Sequence, residues 1–251
     1  MPEGPDKVIC GSDMRAETKD ESVPVVLVPG LTCTARLFSF QIPALWQFGP
    51  VTIADHRHDD SVEKIARRIL ATAPPHFALA GLSMGGFIAF EIMRQAPERV
   101  AKLALLDTSA RPDTPEQTER RRVLMRLASK GRFEEIPEQA FPLYVHPNRH
   151  GDEALKDIVR EMAEATGLEA YLRQQEAILS RPDSRPSLAA ISCPTLVLVG
   201  ESDEPTPPPL AREIAEGIRG SRLIVIPDSG HLSTLERPAA ATKALVEWLR
   251  L

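Results

Sequence analysis

The chain has few cysteines, few aromatic residues and no long apolar run among its 251 residues. Its three cysteines, Cys10, Cys33 and Cys193, are far apart and odd in number, which argues against a disulfide framework and against a cysteine-ligated metal site. We expect buried structural thiols instead. No stretch of about 18 apolar residues could span a bilayer, and residues 1–22 lack the apolar core of a signal peptide. The sequence therefore predicts a cytoplasmic protein without a membrane segment.

The charge balance is slightly acidic, with a formal net charge of -5. Nucleic-acid-binding proteins usually carry a strong basic balance or patch, so we expect no nucleic-acid partner. The hydrophobic fraction of 43% is typical of a globular protein. This length fits one α/β domain with its own core, and no linker-like break divides it.

Short apolar runs alternate with helical patterns along most of the chain. Near-continuous apolar runs of this length are typical of strands buried on both faces of a parallel sheet. The runs lie at residues 23–29, 51–54, 77–81, 103–106, 195–199 and 223–226. Helical patterns lie at residues 62–71, 85–95, 210–217 and 239–249. The alternation predicts an α/β fold with a mostly parallel central sheet flanked by helices.

Residues 114–181 interrupt this alternation, because they show helical patterns and no strand signal. The segment starts with a capping pattern, TPEQ at 114–117. We predict a polar segment at 1–22, a core at 23–113 and 182–251, and a helical cap at 114–181 over the carboxyl edge of the sheet. A purely structural extension is the alternative for the cap.

Residues 81–85, GLSMG, place Ser83 between two glycines in the pattern G-x-S-x-G. An apolar run precedes the pattern and a helical pattern follows it, which is the strand, turn and helix that this motif requires. Small flanking residues allow a very tight turn that exposes the hydroxyl at the strand end. The sequence therefore predicts Ser83 as a nucleophile.

A serine hydroxyl attacks a carbonyl only when a base removes its proton and an acid holds that base. In the chain order Ser, Asp, His, the acid and the base should each follow a later strand. Asp203 follows the run at 195–199, and His231 follows the run at 223–226. We therefore predict these two residues as acid and base. Three other carboxylates remain alternatives for the acid: Glu201, Glu204 and Asp107.

Backbone N–H groups must stabilise the oxyanion that forms during such an attack. Met84 should supply one, because it opens the predicted helix, where the helix dipole favours negative charge. The loop after the first run should supply the other. We predict the N–H of Leu31, since Gly30 lets the backbone turn inward.

Four segments together resemble the α/β-hydrolase superfamily, and in particular its small members with a helical cap. The segments are 28–31 (VPGL), 81–86 (GLSMGG), 200–203 (GESD) and 230–232 (GHL). The resemblance covers about residues 23–251 and implies the α/β-hydrolase fold and a serine hydrolase that uses Ser83, Asp203 and His231. It implies no metal and no organic cofactor. Similar haloalkane dehalogenases carry aspartate where this chain has Ser83.

Several other residues are candidates for contact with a ligand. Four are predicted to line the substrate pocket: Thr32, Trp46, Phe141 and Tyr144. Residues 55–60, DHRHDD, place two histidines beside carboxylates, as a metal site would; polar contacts at the pocket edge and a solvated loop, in which Asp60 caps a helix, are the alternatives. The arginines at 120–122 indicate a solvated helix face, unless one points inward to bind a substrate carboxylate.

The leading hypothesis for function is hydrolysis of a small carboxylic ester or lactone through an acyl-enzyme on Ser83. An amidase, a carbon–carbon bond hydrolase and an acyltransferase would use the same three side chains and remain alternatives. A non-catalytic small-molecule-binding protein on the same fold is an alternative of another class. The sequence does not identify the natural substrate, nor does it distinguish a monomer from a homodimer.

Overall fold

The structure is a computed structural model that describes residue 1 and residues 22–251. Cys10 and nearly all of the predicted segment 1–22 lie outside the described residues. The strands of the single sheet are β1 Val25–Val28, β2 Val51–Ile53, β3 Phe77–Leu82, β4 Val100–Leu106, β5 Thr195–Gly200 and β6 Arg222–Ile226. They are ordered β2-β1-β3-β4-β5-β6, and each neighbouring pair is parallel. The predicted α/β-hydrolase fold is confirmed.

Among the α-helices of the described residues, two are shorter than ten residues. The α-helices are α1 Ile42–Leu45, α2 Val62–Thr72, α3 Met84–Gln95, α4 Pro115–Leu127, α5 Glu135–Tyr144, α6 Glu153–Thr166, α7 Leu168–Leu179, α8 Pro208–Gly217, α9 Ser233–Glu236 and α10 Pro238–Leu249. Within the part of the chain that the structure describes, no helix combines the length and the apolar character needed to cross a bilayer.

The core lies on both faces of the sheet. Every residue of β1, β3 and β5 is buried. Successive side chains of a strand point to opposite faces, so Val26 packs in one apolar cluster with Ile88 of α3, whereas Leu27 packs in the other with Trp248 of α10. This two-sided burial explains why the strands read as continuous apolar runs.

Polar side chains set the start of two helices. The side chain of Thr114 accepts from the N–H of Gln117, whose side chain accepts in return from the N–H of Thr114, so the predicted capping box is confirmed. At α2 the prediction was wrong, because the side chain of Ser61 caps the helix. Asp60 instead pairs with Lys64 at 2.8 Å.

The regular elements between β4 and β5 are all helical, and the α-helices among them are α4 to α7. We call residues 114–181 the helical insertion. Its contact with the core includes two backbone hydrogen bonds, because the N–H groups of His231 and Leu232 donate to the carbonyl oxygen of Tyr144 at 2.9 and 3.2 Å. The end of α5 therefore lies against the loop that follows β6.

Candidate active site

Ser83 lies in the sharp turn that joins β3 to α3. Its φ is 56° and its ψ is −116°, a conformation that side-chain-bearing residues rarely adopt. Two hydrogen bonds hold the turn: the N–H of Ser83 donates to the carbonyl of Leu106 at 2.9 Å, and the hydroxyl of Thr108 donates to the carbonyl of Ser83 at 2.8 Å. The strain at the serine is therefore supported by β4 and the loop after it.

The glycines of the motif are required by close backbone packing. A Cβ on Gly81 would overlap the backbone of Gly85, and a Cβ on Gly85 would overlap the carbonyl group of Val28 in β1. Neither overlap can be relieved by turning a side chain, because backbone atoms are involved. The turn can thus lie this close to β1 only with glycine at both positions.

Ser83, His231 and Asp203 form one chain of hydrogen bonds. Nε2 of His231 lies 2.8 Å from Oγ of Ser83, and Nδ1 lies 2.9 Å from each carboxylate oxygen of Asp203. The three residues follow β3, β6 and β5, so they meet at the carboxyl edge of the sheet, where open α/β sheets form their sites. A neutral imidazole with its hydrogen on Nδ1 can donate to the carboxylate and accept the serine proton on Nε2.

Asp203 is distinguished from the other candidate acids by burial and by its partners. It is 2% exposed, and Thr206 donates to its two oxygens, from N–H at 2.7 Å and from the hydroxyl at 2.8 Å. Glu201 and Glu204 are exposed, and neither bonds to the imidazole within the described part of the chain. Among the candidate acids in the described residues, Asp203 alone bonds to the imidazole, and the hydroxyl of Thr206 lies 3.3 Å from the same Nδ1.

The alternative acid Asp107 is also buried, but it contacts other groups. It accepts from the N–H of Gly200 at 2.9 Å and from the hydroxyl of Ser233 at 2.5 Å. Burial, and after it the charge of Asp203, raise the pKa of Asp107 well above that of an ordinary carboxyl group. Asp107 thus joins the end of β5 to the start of α9.

The electrostatic surroundings of His231 favour its charged form. Burial alone lowers the pKa of His231, but the charge of Asp203 and its hydrogen bond, with smaller effects of Asp107 and Glu236, raise that pKa above its usual value. A raised pKa makes the imidazole a stronger base. The site therefore stabilises a proton on the imidazole of His231.

One predicted oxyanion donor, the N–H of Met84, follows Ser83 in the chain, and the other, the N–H of Leu31, belongs to the loop after β1. Met84 is the first residue of α3, so its N–H has no carbonyl one turn earlier in the helix to bond. The N–H of Leu31 makes no hydrogen bond with any described residue. The loop lies against the serine, because a Cβ on Gly30 would be 3.4 Å from the Cβ of Ser83.

A cavity of about 210 Å³ opens beside Ser83 and His231. Core residues and residues of the helical insertion both contribute to its wall. The core residues include Leu31, Thr32, Cys33 and Phe87, and the insertion residues include Gln117, Arg121, Tyr144, Val159, Met162 and Ile178. A second cavity of about 460 Å³ shares part of that wall, including Leu31, Gln117, Arg121 and Tyr144.

The predicted pocket residues divide into two groups. Thr32 and Tyr144 line both cavities, and the Tyr144 ring lies 5.8 Å from that of His231. Trp46 and Phe141 line neither cavity: Trp46 is 69% exposed on a short 3₁₀ helix, and Phe141 is buried among apolar side chains. Trp46 thus lies at the protein surface, and Phe141 belongs to the apolar core.

The histidines at 56 and 58 do not face a common point. His56 is buried and its Nε2 lies 2.9 Å from the carbonyl oxygen of Gly30, whereas His58 is exposed and bonds to Asp55 at 3.1 Å. Nε and Nη2 of Arg57 each donate to one carboxylate oxygen of the same Asp55 at 2.9 Å. No group of three or more His, Cys, Asp or Glu side chains placed to hold a metal occurs in the described ranges.

Three buried polar side chains at the site were not predicted from the sequence. Thr206 bonds Asp203, as above. Glu236 accepts from the N–H of Gly230 at 2.8 Å and from that of His146 at 2.7 Å, so it fixes the histidine loop to the insertion. Gln174 accepts from the N–H of Thr32 at 3.0 Å. Only Thr206, three residues after Asp203, offered a signal in the local sequence.

A parallel sheet with a serine in the turn after β3, an acid after β5 and a histidine after β6 is the arrangement of an α/β-hydrolase. The chain belongs to the Alpha/beta hydrolase family, whose profile matches residues 25–245, and it is a hydrolase enzyme.

Three known proteins illustrate the similarity. A thermophilic esterase from Thermogutta terrifontis, solved with malate bound, is 32% identical, with a TM-score of 0.82 over 91% of this chain and 89% of the other. The enol-lactonase from Burkholderia xenovorans LB400 is 25% identical, with a TM-score of 0.84 over 92% of each chain. The pimeloyl-acyl-carrier protein methyl ester esterase of Neisseria meningitidis (serogroup C, serotype 2a) is 25% identical over 93% of this chain and 99% of the other.

Proposed function

We propose that the protein hydrolyses a small carboxylic ester or lactone through an acyl-enzyme formed on Ser83. The observation that carries the proposal is the 2.8 Å contact between Nε2 of His231 and Oγ of Ser83, with the carboxylate of Asp203 behind the imidazole. The cavity beside the serine has the size for a small molecule, and both the core and the helical insertion line it. The insertion thus acts as the cap of the site.

The first half-reaction forms the acyl-enzyme. Nε2 of His231 takes the hydroxyl proton as Oγ of Ser83 attacks the carbonyl carbon, and Asp203 stabilises the imidazolium that results. The N–H groups of Met84 and Leu31 donate to the oxyanion. His231 then gives its proton to the leaving alkoxide as the bond between the carbonyl carbon and the alkoxy oxygen breaks.

The second half-reaction releases the acid. His231 removes a proton from water, whose oxygen attacks the acyl carbon, and the same two N–H groups donate hydrogen bonds to the second oxyanion. The bond from carbon to Oγ then breaks, and His231 returns the proton to Ser83. Each proton is transferred by Nε2, so one imidazole serves as base and acid in turn.

Three of the similar proteins support an ester or lactone among the reactions that these side chains could perform, because two are named esterases and one an enol-lactonase. Others, at 25% and 29% identity over 90% and 94% of this chain, are named carbamate hydrolases, whose reaction is also cleavage at a carbonyl carbon. The presence of serine, histidine and aspartate in hydrogen-bonding contact also favours an enzyme over a protein that only binds a ligand.

A covalent probe tests the proposal directly. A fluorophosphonate should attach to Oγ of Ser83, and mass spectrometry of the digested protein should find the adduct on the peptide that contains residue 83. Ser109 lines the same cavity, so Ser109→Ala is a matched control that should still be labelled, whereas Ser83→Ala should not. Hydrolysis of p-nitrophenyl acetate should be lost only in Ser83→Ala. Full hydrolysis by Ser83→Ala would overturn the proposal.

A further inference from the structure

Two arginines share a single carboxylate at the wall of the cavity beside Ser83. Nε of Arg121 lies 2.6 Å from one oxygen of Asp113, and Nη2 of Arg181 lies 2.8 Å from the other. The Asp113 side chain is only 4% exposed. The cluster of two guanidinium groups and one carboxylate therefore carries one uncompensated positive charge.

Other charges around the cavity do not cancel this excess. Arg111 also lines the cavity, but Glu213 pairs with it through two contacts of 2.8 and 2.9 Å. The carboxylate of Asp203 lies behind the imidazole of His231, which separates it from the cavity that His231 itself lines. The positive charge thus remains with the cluster at Asp113.

Arg181 is held in place by the protein, because each nitrogen atom of its guanidinium already donates to a protein oxygen. Nε and Nη2 donate to the carbonyl of Arg111 at 3.2 and 3.0 Å, Nη1 donates to that of Ile178 at 2.8 Å, and the guanidinium lies 4.2 Å over the ring of Phe87. These contacts make Arg181 a structural residue.

Arg121 has donors left over. Its Nε bonds Asp113 and its Nη1 bonds Gln175 at 3.1 Å, but its Nη2 makes no hydrogen bond with any described residue. The side chain is 25% exposed and lines both cavities. The two N–H groups of Nη2 of Arg121 can therefore donate to a ligand in the cavity.

Tyr144, which lines both cavities with Arg121, carries a second donor. The hydroxyl of Tyr144 has no hydrogen-bond partner among the described residues, and its ring is close to that of His231. Burial raises the pKa of Tyr144, against a smaller lowering by the charge of Arg121, so the hydroxyl keeps its hydrogen for donation. The two donors suit one acceptor that carries negative charge.

We infer that Arg121, assisted by the hydroxyl of Tyr144, binds a carboxylate on the substrate while Ser83 attacks the ester carbonyl at the other end. The substrate class is then an ester or lactone that also bears a free carboxylate, such as the monoester of a dicarboxylic acid. This inference rests on the proposed hydrolysis at Ser83. Hydrogen bonds from a charged guanidinium to a carboxylate are about twice as strong as those between neutral groups, so donation from Nη2 of Arg121 can orient such a substrate.

The test compares two esters that differ only in a terminal carboxylate: mono-p-nitrophenyl glutarate and p-nitrophenyl pentanoate. Wild type should prefer the glutarate ester in kcat/KM. In Arg121→Gln the ratio of the two kcat/KM values should fall by about 10- to 100-fold, the range expected for loss of a charged hydrogen bond, and Arg121→Lys should keep part of the ratio. Arg122→Gln is the matched control, because Arg122 is an exposed neighbour on α4 that lines neither cavity.

Failure of this inference can be told from failure of the proposed function. If wild type hydrolyses both esters equally, or if Arg121→Gln keeps the wild-type ratio, the carboxylate site is wrong while the hydrolysis stands. If neither ester is cleaved, calorimetric titration with glutarate decides. Glutarate binding that is present in wild type and in Ser83→Ala but lost in Arg121→Gln supports the carboxylate site without supporting the hydrolysis. Absence of glutarate binding in that case overturns the site as well.

Discussion

The carbonyl oxygen of Gly30 lies 2.9 Å from Nε2 of His56, and this contact joins the loop after β1 to the loop after β2. The same peptide unit contains the N–H of Leu31. Because a peptide unit is planar and trans, its carbonyl and its N–H point in opposite directions. The histidine therefore fixes the direction of the proposed oxyanion donor, although it does not touch the reacting atoms.

Removal of this contact should slow the chemical step. We expect His56→Ala to lower kcat by about 10- to 100-fold with a smaller change in KM. Loss of a complete oxyanion donor lowers the rate by about 100- to 1000-fold. The effect here should be smaller, because the N–H of Leu31 remains and only its direction is no longer fixed. Burial lowers the pKa of His56, so the ring is neutral and can donate from Nε2 to the carbonyl. Steady-state kinetics with p-nitrophenyl acetate give both constants.

Two further variants separate positioning from general damage to the loop. His56→Gln can still donate to the carbonyl and should recover part of kcat. His58→Ala removes an exposed neighbour that bonds Asp55, and its kinetics should match wild type. A His56→Ala enzyme with the wild-type kcat would show that the loop keeps its conformation without the histidine.

The pH dependence should report the imidazole of His231. Only the neutral ring can take the proton of Ser83, so kcat/KM should rise as pH increases through the pKa of His231. Asp203 raises that pKa against the effect of burial, so the midpoint should lie above the value of about 6.5 for a free histidine. In Asp203→Asn the charge is gone and burial remains, so the midpoint should move to lower pH. A profile from about pH 5 to pH 9 measures both midpoints; an unchanged midpoint in Asp203→Asn would show that the carboxylate does not control the base.

The identity of the acid predicts a large difference between two neighbouring substitutions. Asp203→Asn should lower kcat by about 10⁴-fold, the loss typical when the orienting carboxylate of such a triad is replaced. Glu201→Gln should change kcat by less than about twofold, because Glu201 is exposed and its contact is with the N–H of Asp228 at 3.4 Å. The reverse order, measured with the same ester, would assign the role to Glu201.

The positions of Ser83, Asp203 and His231 could be predicted because each follows an apolar run, and the ends of parallel strands share one edge of the sheet. The choice between the candidate acids was harder to predict, because Glu201 and Asp203 lie in one turn. Their difference in burial depends on Thr206, whose two donors turn the Asp203 side chain inward.

Contacts that cross the fold left no local pattern in the sequence. The bond from Thr32 to Gln174 joins residues that are 142 positions apart, and it depends on how α7 of the insertion lies against the loop after β1. The same is true of the pocket wall: aromatic character alone could not separate Tyr144, which lines the cavity, from Trp46, which is exposed.

The packing of the turn around Ser83 predicts a strong effect of one added methyl group. A Cβ on Gly85 would overlap the Val28 carbonyl in the middle of the core, so β1 or α3 must shift. We expect Gly85→Ala to lower the free energy of unfolding by about 1–3 kcal/mol, the usual cost of overpacking, and to reduce labelling of Ser83, since a shift of α3 moves the turn. Urea denaturation measures the stability, with Gly151→Ala as control, because a Cβ on Gly151 meets no atom within 4 Å. Equal stability of the two variants would mean that the sheet and α3 separate more easily than their close backbone packing implies.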